Sequence, residues 1–327
     1  MKNNFFVIIA LVAITLFPIM ISCSQGDADD SEINKPDVPK DDDPTELILS
    51  TSVEAQTKAA FTNADTQIPA GQTVAVWVHE TTAGVTQLYG KNVLTANGSG
   101  GLSGGTTMFF PQGDSHVDIY ALHTNATWTG SEYPTTTLTH TVRTDQSKLA
   151  DYAVSDLLYA RTTNVAKTTN AVPLKFYHLL SKLQIAIVPG DGLSASEITG
   201  VIINGMKPEA SFTLSKAAAP AAVTVSPTGT ALPIITSADI STNFINPRYN
   251  DAIVVPQTLT AGTAFVMLCL KDGVKLAYLL PKDTTFESNK KYIYHITVSR
   301  TEVKISTTIE DWTLGGVVTG EADHLPN

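Results

Sequence analysis

Short runs of alternating apolar and polar residues follow one another along this chain. Turn residues separate them, and no long helical period replaces them. Successive side chains of a strand point to opposite faces, so each run can bury a face only within a sheet. Glu46–Ala55 is the first such run. Gly71–His79 puts Val74, Val76 and Val78 on one face, and Val117–His123 and Pro173–His178 alternate in the same way. Asp156–Ala160 is a further short strand, after a stretch at Asp145–Tyr152 with helical character. A second series starts at Leu183–Val188. It continues through Ile198–Ile203, Ala210–Leu214, Ala252–Val255, Thr263–Leu270, Leu276–Leu280, Lys291–Val298 and Val303–Ile309. Asp272-Gly273 between two apolar runs predicts a hairpin. Ala217–Pro227, rich in Ala and Pro, reads as an irregular loop. Many short strands with turn signals between them predict an all-β protein built from sandwiches.

Length divides that prediction in two. Of the 327 residues, about 280 remain once the N-terminal leader and linker are set aside, and domains run to roughly 100–200 residues. The break falls near Leu180-Ser181, which gives an N-terminal sandwich over 46–180 and a C-terminal sandwich over 181–327. A formal net charge of −10 argues against a nucleic-acid partner, whose phosphates need clustered Lys and Arg. The cysteines are Cys23 and Cys269. Cys269, inside the apolar run Thr263–Leu270, reads as a small core residue.

The N-terminus carries its own signal. Met1-Lys2-Asn3-Asn4 is followed by the apolar run Phe5–Ile21, then Ser22 and Cys23. A positive start, an apolar stretch and a small residue before a cut site make a secretory signal peptide over 1–22. The cysteine in that place resembles a bacterial lipoprotein signal, with Met20 where Leu is usual. The resemblance implies that Cys23 becomes the acylated first residue of the mature chain. Residues 23–45 are acidic and broken by proline, and they read as a disordered tether. Asp41-Asp42-Asp43 lacks the spacing and the glycine turn of a calcium loop.

Motifs for catalysis are weak. Gly101-Leu102-Ser103-Gly104-Gly105 matches the pattern of a hydrolase nucleophile elbow, but a strand-like run follows where that motif needs a helix. No histidine pair has metal-ligand spacing, and no cysteine lies near enough to complete a zinc set. There is no phosphate loop and no dinucleotide fingerprint. These readings leave no expected catalytic residue, metal or cofactor. Trp77 and Trp312 lie in or at the end of strands and read as packing residues. Trp128, in the loop Asn125–Gly130, is the aromatic best placed to contact a ligand.

Several stretches together resemble the fimbrillins of Bacteroidales. They are the lipoprotein-like signal, Phe110-Pro111 with Tyr120-Ala121, Ser155–Ala160, Leu174–Leu183, Val254–Thr258 and the closing Ile309-Glu310-Asp311-Trp312. The resemblance spans essentially the whole mature chain. It implies two transthyretin-like β-sandwiches in tandem, working as a structural subunit of a surface fimbria, a type V pilus. It implies export as a lipoprotein to the outer membrane and proteolytic removal of the first strand. The next subunit then adds a terminal strand to the vacated groove, and the assembled fimbria supports adhesion to a host surface or to other bacteria.

On these residues, the strand to be removed is Glu46–Ala55 and the basic residue after it is Lys58. The donor candidate is Val303–Ile309, with Val303, Ile305, Thr307 and Ile309 on one face, or the tail at Gly316-Val317-Val318. Processing in the family usually follows an arginine, and this chain has none before Arg143. Either Lys58 serves a protease of broader trypsin-like specificity, or the chain stays uncut. An uncut chain would be a lipid-held anchor of the fimbria, or a surface lipoprotein that binds a glycan or a host protein.

Overall fold

Val74, Val76 and Val78 are fully buried, but so are Ala75 and Trp77 between them. A strand covered on both faces sits in the middle of the molecule, and this one organises the N-terminal half of the computed structural model. The structure describes residues 43–53, 66–81, 86–216, 224–300, 303–311 and 317–318.

Among these residues the order begins with β1 (Leu49–Val53), β2 (Thr73–Glu80), β3 (Thr86–Ala96), β4 (Leu102–Ser103), β5 (Val117–His123) and β6 (Leu138–Thr141). The short helix α1 (Leu149–Val154) follows, then β7 (Leu158–Val165), β8 (Val172–His178), β9 (Ser181–Pro189), β10 (Ile198–Ile203), β11 (Glu209–Thr213) and β12 (Thr224–Thr228). The remainder comprises β13 (Ile234–Ile235), β14 (Tyr249–Val254), β15 (Gln257–Leu259), β16 (Ala264–Leu270), β17 (Lys275–Leu279) and β18 (Thr284–Phe286). It closes with β19 (Lys290–Val298), β20 (Val303–Asp311) and β21 (Val317–Val318).

The first half forms a seven-stranded sheet in the order β1-β8-β7-β5-β2-β3-β4. The second half forms a five-stranded sheet, β14-β9-β19-β20-β21, and a four-stranded sheet, β13-β10-β16-β17. The chain passes from the seven-stranded to the five-stranded sheet between His178 and Ser181. The halves are also stitched together, because β6 leaves the first half to pair with β11 in a three-stranded sheet with β12.

Two apolar cores follow from this arrangement. One lies inside the seven-stranded sheet and contains Leu49, Val53, Val76, Ile119, Leu174 and Phe176. The other takes Trp77, Tyr120 and Leu122 from the same strands' opposite face and continues through Leu183, Ile185, Phe265 and Tyr294. Alternation along β2 and β5 therefore separates two cores rather than core from solvent.

Local chemistry accounts for several details. Asp272-Gly273 turns β16 into β17 as expected, with Gly273 at φ 84° and the Val274 N–H donating to Asp272 Oδ1 at 3.1 Å. The helix begins later than expected. Asp145 instead accepts from the N–H and hydroxyl of Ser147 at 3.0 and 2.6 Å and bridges to Ile235, so the helical turn waits until Leu149. The stretch expected as irregular at Ala217–Pro227 contains β12 from Thr224 onward. Pro227 fits there because β12 is an edge strand, where a missing N–H is tolerated. The long β3 escaped the sequence reading: from Gln87 to Lys91 it is half-buried on both faces, and its pairing with β2 is irregular.

Candidate functional site

β1 is gripped along both edges. On one side it runs parallel to β8, from Leu49 opposite Val172 to Val53 opposite Phe176. On the other, the Leu47 N–H donates to the Met108 carbonyl at 2.8 Å, the Phe110 N–H to Thr45 at 2.9 Å, and the Thr51 N–H to Gly100 at 2.7 Å. The Val53 N–H reaches the Thr66 carbonyl at 2.9 Å. β1 thus closes the gap between the two ends of the seven-stranded sheet, as the last stave closes a barrel.

Alternation decides what β1 contributes. Leu47, Leu49, Thr51 and Val53 point inward and are at most 7% exposed, whereas Ile48 is 45% exposed. Full burial of a Leu or Val side chain is worth about 2 kcal/mol, so Leu47, Leu49 and Val53 together hold the strand firmly. A cavity of about 370 Å³ lies beside the strand, lined by Leu47, Leu49, Leu94, Leu102 and Met108 among others.

The glycine-rich loop has a definite task at this site. Asn97 Oδ1 accepts from the N–H groups of Ser99 and Gly101 at 2.8 and 2.9 Å, folding the loop back on itself. Gly100 then presents its carbonyl to β1 at φ 87°, and a Cβ there would sit 2.9 Å from the Thr51 carbonyl oxygen. The hydrolase-like motif is part of this wall. Leu102 and Ser103 pair with Ala96 and Thr95 as the two-residue strand β4, and residues 106–107 after them form no regular element.

At the other end of the chain, β20 is laddered antiparallel to β19 over its full length. Val303, Ile305, Thr307 and Ile309 stand opposite Val298, Ile296, Tyr294 and Tyr292, the four residues of β19 being buried. Thr307 is half-buried and Ile309 is 38% exposed. β21 joins β20 through only Ile309–Val318 and Glu310–Val317. The donor candidate is thus engaged within its own sheet, while the segment after it is held by two pairs. Cys23 and Lys58 lie outside the described residues.

Trp128 is not the exposed loop aromatic that its position suggested. It is half-buried, stacks on Trp77 with ring centroids 5.8 Å apart, and carries Lys91 Nζ 4.2 Å above its ring. An aromatic of that size gains more from covering Trp77 than from facing water. Buried histidines play structural parts. His140 bonds Thr124 Oγ1 and the Ser155 carbonyl, each at 2.9 Å, and His178 Nδ1 sits 2.8 Å from Asp156 Oδ2. The Ser155–Ala160 and Leu174–Leu183 stretches singled out in the sequence meet at that contact. No group of three metal-ligating side chains occurs among the described residues.

Comparison with known proteins decides what this architecture belongs to. A family model described as fimbrillin-like matches residues 57–312. The chain belongs to the fimbrillin-like family. A related protein, described as fimbrium subunit Fim1C of Bacteroides uniformis, is 27% identical over 237 residues. The match covers 69% of this chain and 72% of the relative. The fold also matches a crystal structure described as a cell adhesion protein from Bacteroides uniformis, with a TM-score of 0.58 and 21% identity. That match covers 84% of this fimbrillin and 100% of the solved chain. A second cell adhesion protein, from Bacteroides ovatus, matches with a TM-score of 0.57 and 15% identity, over 84% and 99% of the two chains. Family membership makes this fimbrillin a structural subunit of cell-surface fimbriae, partnered by other fimbrial subunits, and not an enzyme.

Proposed function

We propose that this fimbrillin is exported as a lipoprotein acylated on Cys23, reaches the outer membrane, and is assembled into a type V fimbria by strand exchange. In this reading, residues 46–180 and 181–327 act as two tandem sandwich domains. Cleavage after Lys58 detaches lipid, tether and β1 as one piece. The observation that carries the reading is the double-edged grip on β1. Withdrawal of this strand leaves a groove with unpaired N–H and C=O groups on both sides and the inner faces of Leu174, Phe176 and Met108 uncovered. Such a groove accepts any extended segment of matching alternation. A segment from the next subunit makes the contact head-to-tail, so the assembly grows without closing.

The donor is the C-terminal end. Donation of β20 itself forfeits nine register pairs with β19, whereas the segment at Val317–Val318 gives up two. The tail therefore leaves first, and β20 follows only if the groove's burial outweighs the ladder.

Mass spectrometry of the N-terminus of the protein taken from the cell surface tests the scheme. A mature chain starting at Ala59 supports it. An intact chain beginning at acylated Cys23 sinks the cleavage step and favours a lipid-held anchor subunit, or a monomer that binds a glycan or a host protein.

A further inference from the structure

A second concavity lies far along the sequence from β1 and shares no residue with that strand's groove. It is a cleft of about 420 Å³ between α1 and the segment leading into β14, lined by Leu149, Tyr152, Asp239, Arg248, Tyr249 and Asp251 among others. Small-molecule sites are typically of this size.

Its polar groups divide into two kinds. Those of the wall are committed. The buried Gln146 side chain donates to the Ile253 carbonyl and accepts from the Ile253 N–H, both at 2.8 Å, and the Ser147 hydroxyl is spent on Asp145. Asp251 Oδ2 lies 3.0 Å from the fully buried Lys182 ammonium, while its Oδ1 accepts from Gln184 Nε2 at 3.2 Å. The carboxylate of Asp239 and the guanidinium of Arg248 are different. Both are exposed on the cleft, and neither has a hydrogen-bond or ion-pair partner among the described residues. The segment that carries them is nonetheless fixed. Fully buried Asn250 accepts from the Asp239 N–H at 2.7 Å and donates to the Asp239 and Ile185 carbonyls, each at 3.0 Å. Ser241 and Arg248 exchange a further pair of bonds at 2.7 and 3.2 Å. Tyr249 is held by its hydroxyl contact with His295 Nε2 at 3.3 Å, and Phe244 stacks on that imidazole with ring centroids 4.7 Å apart.

We propose that this cleft binds a short neutral saccharide, with Asp239 accepting from and Arg248 donating to its hydroxyls while Tyr249 and Leu149 cover its C–H face. The charges of Asp239 and Asp251 balance those of Arg248 and Lys182, so the cleft offers no net attraction to an ion. A sugar hydroxyl both donates and accepts, which matches an acceptor and a donor left open in one cleft. The fixed loop keeps the ordering cost of binding low. The inference stands whether or not the fimbria assembles by strand exchange.

The test uses the full chain in detergent on an array of immobilised neutral oligosaccharides. Sialylated and sulfated oligosaccharides and short peptides serve as comparison probes. Calorimetry then follows on the best neutral probe. Asp239→Asn and Arg248→Ala are each expected to weaken binding about tenfold or more, as loss of a hydrogen bond to a charged group does. Both replace exposed side chains and are expected to leave thermal unfolding unchanged. Asp191→Asn, an exposed carboxylate outside the cleft, leaves binding intact. The proposal is overturned by no binding to any neutral probe, by binding confined to peptides or charged sugars, or by neutral-sugar binding that survives both cleft substitutions.

Discussion

His140 shows how one buried side chain sets a pH limit for the whole molecule. Burial, partly offset by its bond to the Ser155 carbonyl, holds its imidazole down to about 4 from an ordinary value of 6.5. An unfolded chain takes up the proton from about pH 6.5 downward, but the folded one does so only near 4. Stability is therefore full above 6.5, falls between 6.5 and 4, and stops falling on this account below 4. The loss amounts to about 3 kcal/mol. Burial lowers His79 and His295 as well, so they act in the same direction. Urea unfolding at pH 7 and pH 4.5 is expected to show the decline, and a His140→Gln variant is expected to show a shallower one. Gly100 is a second decisive residue. Gly100→Ala adds a Cβ 2.9 Å from the Thr51 carbonyl at a φ of 87°, which costs about 2 kcal/mol. Hydrogen exchange checks it: the Thr51 amide is expected to lose protection before the amides of β5 do.

At the scale of elements, β1 combines a strong hold with a weak tie. Its inward residues complete a core, yet the neighbour strand it parallels, β8, is separated from it by more than half of the seven-stranded sheet's own chain. Nothing local keeps it in place once the following segment is cut. Leu49→Ala leaves a cavity in the core under β1 and is expected to cost about 3 kcal/mol. In the strand-exchange scheme the same change speeds departure of β1. Faster polymer growth after cleavage, followed by light scattering, is the expected result, and slower growth would count against the scheme. β20 has the opposite character, since its neighbour in sequence, β19, is also its ladder partner. Its pairing is local in sequence, so closing it costs little loop entropy.

For the whole molecule, the question is whether β1 must leave. Ser50 and Pro173 are register partners on the outer side of the β1–β8 pair. Neighbouring strands lie about 4.8 Å apart, a spacing that a disulfide spans. In the strand-exchange scheme, a Ser50→Cys/Pro173→Cys variant under oxidising conditions is expected to keep the proposed lipid-bearing piece attached after cleavage and to form no polymers, with assembly restored by reductant. Polymers that form with the bond intact would show that assembly uses another surface.

Much of this was legible in the residues themselves. Alternation is a local property, so Ile198–Ile203 and Val117–His123 could be read as strands with their limits, and Asp272-Gly273 as the turn of a hairpin. The order of motifs was enough to suggest the family. Pairing is not local, and the sequence was silent there. That the Asn97–Gly101 loop forms one wall for β1, that Trp128 covers Trp77, and that Asp239 and Arg248 share a cleft with α1 depends on which distant faces bury one another. A strand's own pattern says which side is apolar. Only the closing of the sheets decides what that side meets, because the burial energy is shared by partners that carry no mark of each other.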